Sequence, residues 1–194
     1  QVIMTRSDDT FLSLEERTTF ANQNNADYFV SLHRNTGEGN GVETWIRSDA
    51  DDKAQALAQN IMDNLDAAGI SRNRGVKKGT QKSESKDYYV NLHTNMPACI
   101  VELGFMNSPT DNQLFDANID SYAKAIGDAV LKTYESYGKD GADAKESVED
   151  VPGTEEQTST ETGTGTTGQV LQNTPIENVS SLDATSHDWG LGSH

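Results

Sequence analysis

The run ACIVELGF, residues 98–105, is apolar or small at every position but one. So short and so apolar a stretch reads as the central strand of a sheet, buried on both faces by covering layers. The exception is Glu102. A second continuous apolar run, DYFVSL (27–32), has the same character and is followed at once by His33-Arg34-Asn35 and then by a glycine-rich connection. VETWI (42–46), the β-rich VIMT (2–5) and YYVNL (88–92) read as further strands.

Helical patterns fall between these runs. Ser13-Leu-Glu-Glu16 matches a capping box and predicts a helix over about 14–24. Ala54, Leu57, Ala58, Ile61, Met62, Leu65 and Ala68 recur at helical spacing, with Gly69 as the stop. Ser108-Pro109 supplies a cap and a first-turn proline for a short helix, and Tyr122, Ala123, Ile126, Val130, Leu131 and Tyr134 mark a last helix ending near Gly138. Residues 70–87 are polar and locally basic, which predicts an exposed loop. No internal repeat is visible. Strands alternating with helices argue for an α/β fold with a mostly parallel twisted sheet flanked by helices.

Charge divides the chain at its end. Up to Tyr137 there are 13 Lys+Arg against 20 Asp+Glu; from Gly138 onward there are 2 against 11. That last segment has one Trp, no Phe or Tyr, and a Thr/Gly/Glu-rich run, too little apolar surface to offset its ordering entropy. The expected organisation is a folded domain over 1–137 and a disordered acidic tail or linker over 138–194. A net charge of −16 without a basic stripe argues against nucleic acid, because the phosphate term would be repulsive. No apolar run approaches the roughly 20 residues of a membrane helix. The single cysteine, Cys99, lies inside the apolar run and reads as a buried hydrophobe.

Open α/β sheets place their sites at the carboxyl ends of strands. DYFVSL delivers His33 there and ACIV delivers Glu102, so parallel neighbouring strands would aim both at one crevice. Imidazole is the commonest metal ligand, and a carboxylate beside an activated water can take its proton and pass it to a leaving group. A serine nucleophile fits less well: Ser31 and His33 share a strand face without being directed at each other, and there is no G-x-S-x-G. P-loop, G-x-G-x-x-G, C-x-x-C and H-E-x-x-H are also missing.

Five phrases in register, VIMTRSDDTFLSLEERTTFAN, ADYFVSLHRN, GVETW, RGVKKG and NMPACIVELGFMNSPTDNQLF, resemble the zinc-dependent N-acetylmuramoyl-L-alanine amidases that cleave bacterial peptidoglycan. The resemblance runs through nearly all of residues 1–137 and implies a mostly parallel sheet flanked by helices. It implies that His33 is a zinc ligand and Glu102 the catalytic glutamate. It also implies that Asn35, Glu43 and Arg74 shape the substrate cleft or hold it together. Arg34 stands where the family has a small residue and is expected at the cleft rim.

The family's strand with Gly-His-Gly-Gly, and the helix bearing its Glu ligand, precede the phrase with which this chain opens. The Zn2+ site is therefore expected to be incomplete and the activity impaired, with a non-catalytic wall-glycopeptide or partner-binding protein as the alternative. His93, His187 and His194 are the remaining histidines that could contribute. The resemblance implies peptidoglycan as partner and an extracytoplasmic, secreted or wall-associated bacterial setting, although no leader peptide is read in these residues.

Overall fold

The structure, a computed structural model, describes residues 1–138. The tail expected beyond Gly138, with His187 and His194, lies outside the described residues.

The buried run forms strand β4, Ala98–Phe105, inside a four-stranded sheet. Its neighbours are β1, Phe29–Asn35, on one side and β2, Val42–Ile46, on the other; β3, Asn73–Lys78, follows β2. The order is β1-β4-β2-β3. The β1–β4 and β2–β3 pairings are parallel, as the alternating pattern suggests, while β2 runs antiparallel to β4. The sheet is thus mixed.

Two layers cover it. On one face α2, Asp52–Ala67, and α4, Pro109–Tyr137, bury Leu57, Ile61, Met62, Leu65, Tyr122, Ile126 and Ala129 against Val42, Ile46, Cys99, Val101 and Leu103. Cys99 is fully enclosed and burial pushes its thiol up to about 12, in keeping with a hydrophobic role. The α4 helix absorbs both helices expected after Ser108, with a break in helical geometry at Asn118 where they meet. On the other face α1, Leu14–Gln23, carries the expected Ser13/Glu16 capping box. It joins α3, Tyr89–His93, over Phe29, Trp45, Ala98 and Ile100. Asn22 ties α1 to α3 by donating to the carbonyl of His93 and accepting from Asn95 N–H, both at 2.9 Å.

Three local expectations are corrected. VIMT pairs with none of the four strands, and Val2 and Met4 stay exposed; β-rich composition makes no strand without a partner edge. YYVNL forms the helix α3 instead of a strand, because a short apolar run carries no decisive period. Here Val90 and Asn91 turn inward together and Asn91 donates to the carbonyl of Trp45 at 3.0 Å. The polar stretch 70–87 is not all loop: β3 lies within it, and a sheet edge tolerates polar and lysine side chains.

Two irregularities in the ladders set up the site. Between Val42/Asn73 and Thr44/Val76 the β3 strand has one residue extra, so Arg74 and Gly75 oppose Glu43, with Gly75 at φ 78°. Likewise, β4 has an extra residue opposite Arg34, and Gly104 there has φ 88°. A Cβ on Gly104 would lie 2.8 Å from the Cβ of Asp111. Asp111 is a buried clamp that accepts from Phe105 N–H at 2.8 Å and Gly41 N–H at 3.0 Å, and from the Ser71 hydroxyl. Gly104→Ala is therefore expected to cost about 2 kcal/mol from backbone strain and displacement of this clamp. Urea unfolding should show it as a lower midpoint at unchanged slope; an unchanged midpoint would contradict the reading.

Candidate functional site

His33, Glu102 and Glu43 occupy one rung of the sheet. His33 is the register partner of Glu102 across β1–β4, and Glu43 is the partner of Glu102 across β2–β4. Partners directly opposite share a face, and neighbouring strands are about 4.8 Å apart, so three side chains line up side by side. The site lies on the sheet face, not beyond the strand tips as expected. Glu102 is in mid-strand, and the position stays accessible because α1 and α3 cover the face further toward Phe29 and Ala98.

Glu43 is the fixed member. It is 2% exposed and accepts from Asn35 Nδ2 at 3.2 Å, Trp45 Nε1 at 3.1 Å and Arg74 Nε at 2.7 Å. The β3 bulge is what brings Arg74 to it. Arg74 also stacks over the Phe105 ring, 5.1 Å from its centroid. Asn35 is itself buried, and its Oδ1 accepts from Thr36 N–H at 2.8 Å.

Glu102 is the responsive member. It is half-buried, and its Oε2 is enclosed without a hydrogen-bond partner. Loss of hydration, and then repulsion from Glu43, push its carboxyl up to about 7. Near neutral pH such a group is present in both forms and serves as acceptor or donor of a proton.

His33 is an exposed residue, yet the protein around its ring lowers its pKa by desolvation, with repulsion from Arg17 adding to the effect. Its neutral form is favoured. Contrary to the expectation for i, i+2 residues, the Ser31 hydroxyl and His33 Nε2 are hydrogen-bonded at 2.9 Å. No acidic group orients the other ring nitrogen among the described residues, so the pair lacks the third member of a nucleophilic triad.

Arg34 does not join this group. Strand alternation sends it to the opposite face, where it donates to Asn112 Oδ1 at 2.6 Å and stacks 4.4 Å from the Phe115 centroid on α4. It braces the β1–α4 contact and is not at a cleft rim. His93 is also engaged elsewhere, stacked on Tyr89 at 3.8 Å with Nδ1 2.9 Å from the Tyr89 carbonyl oxygen.

Two participants escaped the sequence reading. Trp45 donates to Glu43, and the period of two from Glu43 was the available signal. Tyr88 has its pKa raised first by burial, against the lowering effect of the hydrogen bond from Gln81 N–H, with the charges of Glu102 and Glu43 adding smaller upward pushes. Nothing local in YYVNL announces that role.

A catalytic zinc site needs about three protein ligands. Among the described residues no group of three His, Cys, Asp or Glu side chains could hold a metal ion. Residues 1–138 alone therefore do not fit a zinc site, although His33 offers one nitrogen on the same face as Glu102.

A family model described as N-acetylmuramoyl-L-alanine amidase matches residues 1–132. The Bacillus subtilis (strain 168) protein YqiI is 36% identical over 138 residues, 70% of this chain and 63% of its own length. The N-acetylmuramoyl-L-alanine amidase LytC of the same organism is 32% identical over 138 residues, covering 68% of this chain and 26% of LytC. The chain thus spans less than two thirds of either relative. The crystal structure of an N-acetylmuramoyl-L-alanine amidase from Clostridium difficile 630 superposes with a TM-score of 0.64 at 32% identity, covering 71% of this chain and 74% of that one. With the match extending over most of the folded residues, the chain belongs to the N-acetylmuramoyl-L-alanine amidase family.

Proposed function

We propose that this domain, residues 1–137, is built to hydrolyse the amide between N-acetylmuramic acid and the L-alanine of the peptidoglycan stem peptide. The observation that carries the reading is Glu102, a half-buried carboxyl with a pKa of about 7 and an unpartnered oxygen, on one rung with His33 in a chain of this family. As a base Glu102 takes a proton from the attacking water. As an acid it returns that proton to the departing amine nitrogen of alanine. Asn35, Trp45 and Arg74 hold Glu43 in place, and Glu43, together with burial, keeps the charge of Glu102 disfavoured.

Zinc dependence is part of the proposal, with His33 as one ligand. The other ligands must come from outside residues 1–138, since none of the described groups completes the set. The acidic segment 138–194 would act as a linker. A wall substrate implies extracytoplasmic action, and among the described residues no helix is long and apolar enough to cross a membrane.

That no described group completes the ligand set also favours a second reading, a wall-glycopeptide binder that does not cut. Two measurements separate them. Equilibrium dialysis of the 194-residue chain is expected to show well under one zinc per molecule; one equivalent would mean that other residues of this chain complete the site. A version given the family's Gly-His-Gly-Gly strand and Glu-bearing helix ahead of Gln1 is expected to release wall peptides with new amino-terminal L-alanine and no new sugar reducing ends. Zinc-loaded protein that binds wall yet releases no amino termini would establish the non-catalytic reading.

A further inference from the structure

Trp45 closes one side of the carboxylate rung and opens on a separate concavity. This hollow, of about 570 Å³, is lined by Trp45, Lys77, Lys78, Lys82 and Glu84 among others. Its volume suits a small ligand or a peptide segment. Lys77 is the register partner of Trp45, so it stands on the face that carries Glu43 and Glu102. Lys82 reaches the same hollow from the turn after β3. Lys78 is the register partner of Ile46 and so leaves the strand on the opposite face. Lys77 and Lys82 are thus the two lysines on this side of the hollow, with Glu84, in a chain whose net charge is −16.

None of the three lysines is ion-paired or hydrogen-bonded through its side chain within the described residues. Lysines on an edge strand discourage pairing with other chains. That accounts for Lys77 and Lys78 but not for Lys82.

The turn that brings Lys82 in is also a built structure. Thr80 and Ser83 exchange backbone hydrogen bonds at 2.9 and 3.1 Å. The chain folds back so closely that a Cβ on Gly79 would lie 2.6 Å from the carbonyl oxygens of Ser83 and Glu84. Gln81 N–H donates to the Tyr88 hydroxyl at 3.3 Å, and the Tyr88 ring meets Trp45 edge-on at 5.7 Å. A continuous set of contacts therefore runs from the lysine turn through Tyr88 and Trp45 to Glu43.

We propose that Lys77 and Lys82 form a subsite for the free carboxylates of the peptide that follows the scissile amide; this rests on the amidase reading above. The spacing fits. Trp45 lies two residues from Glu43, about 7 Å along the strand. An extended peptide advances about 3.4 Å per residue, so carboxylates borne two to four residues beyond the cleaved bond reach the lysines. Anionic groups would be steered toward this locally basic edge of an acidic chain and held in register there.

The test uses the 194-residue chain, L-Ala-γ-D-Glu-L-Lys-D-Ala and the diamide of that peptide, followed by nuclear magnetic resonance titration at low salt. The acid form is expected to bind about tenfold more tightly than the diamide, as two partly exposed ion pairs allow, and to shift the Trp45 indole signal. Lys77→Gln/Lys82→Gln, at exposed positions, should remove that preference and leave diamide binding as it was. Equal or undetectable binding of the two forms by the unaltered chain, or a preference that survives the double substitution, overturns the subsite. Displacement of the peptide by equimolar inorganic phosphate would likewise overturn it in favour of an unselective anion site. Because binding is read without turnover, the two proposals fail separately: amide cleavage without acid preference sinks only the subsite, and acid preference without cleavage sinks only the hydrolase.

Discussion

Replacing Glu102 by Gln, in protein given a full set of metal ligands, is expected to lower kcat about 10²–10⁴-fold, the range of a lost general acid-base group. Zinc content and wall binding should be unchanged. The amide has nearly the shape of the carboxyl but takes no proton from water and gives none to the leaving nitrogen. The same substitution makes an opposite prediction for stability. Glu102 has a folded pKa of about 7 against an ordinary 4.5, raised mainly by burial and then by Glu43. A carboxyl with a raised folded pKa contributes stability that is fully present below about 4.5 and is lost as pH climbs through about 7. Gln carries no such penalty. Glu102→Gln should therefore be the more stable form at pH 8, by about 2 kcal/mol after allowance for its partial exposure, and the difference should shrink toward pH 4.5. Denaturant unfolding at the two pH values checks this. A variant that is both inactive and less stable at pH 8 would point to a structural carboxylate and remove Glu102 from the chemistry.

How far the sequence could be read depended on where the physics was local. Ser13 and Glu16 satisfy each other within one turn, so α1 was legible to within a residue. The spacing from Ala54 to Leu65 and the enclosed run 98–105 announced α2 and β4 because each buries a whole face. β3 was missed for the opposite reason: Asn73–Lys78 is an edge strand whose pairing with β2, not its side chains, makes it a strand. Alternation along β1 does place Arg34 away from His33, and it was family position that suggested a cleft rim instead. The rung His33–Glu102–Glu43 needed one non-local fact, the antiparallel entry of β2 beside β4. A sequence that alternates strands and helices implies parallel neighbours and conceals that reversal. The Asp111 clamp was equally hidden, since its partners Gly41, Ser71 and Phe105 are far apart in the chain or present only backbone groups.

Arg74→Ala is expected to cost about 3 kcal/mol, the lower end for breaking a buried ion pair, because Arg74 keeps partial exposure while Glu43 has almost none. The loss comes less from the attraction forgone than from the charge left behind. Glu43 would retain only the neutral donors Asn35 and Trp45. If that account is right, Glu43→Gln/Arg74→Ala should recover most of the stability, since no unpaired buried charge remains. Glu43→Gln alone has a second consequence, because the Glu43 charge is one of the two causes that raise Glu102. Carboxyl titration followed by carbon-13 resonance should show Glu102 moving down from about 7 toward the ordinary range, though not reaching it, as burial is the larger cause. The pH at which hydrolysis gains its base should move down with it. A Glu102 titration indifferent to Glu43 would mean that the two carboxylates, although register partners, do not share a field, and that Glu43 serves the fold alone.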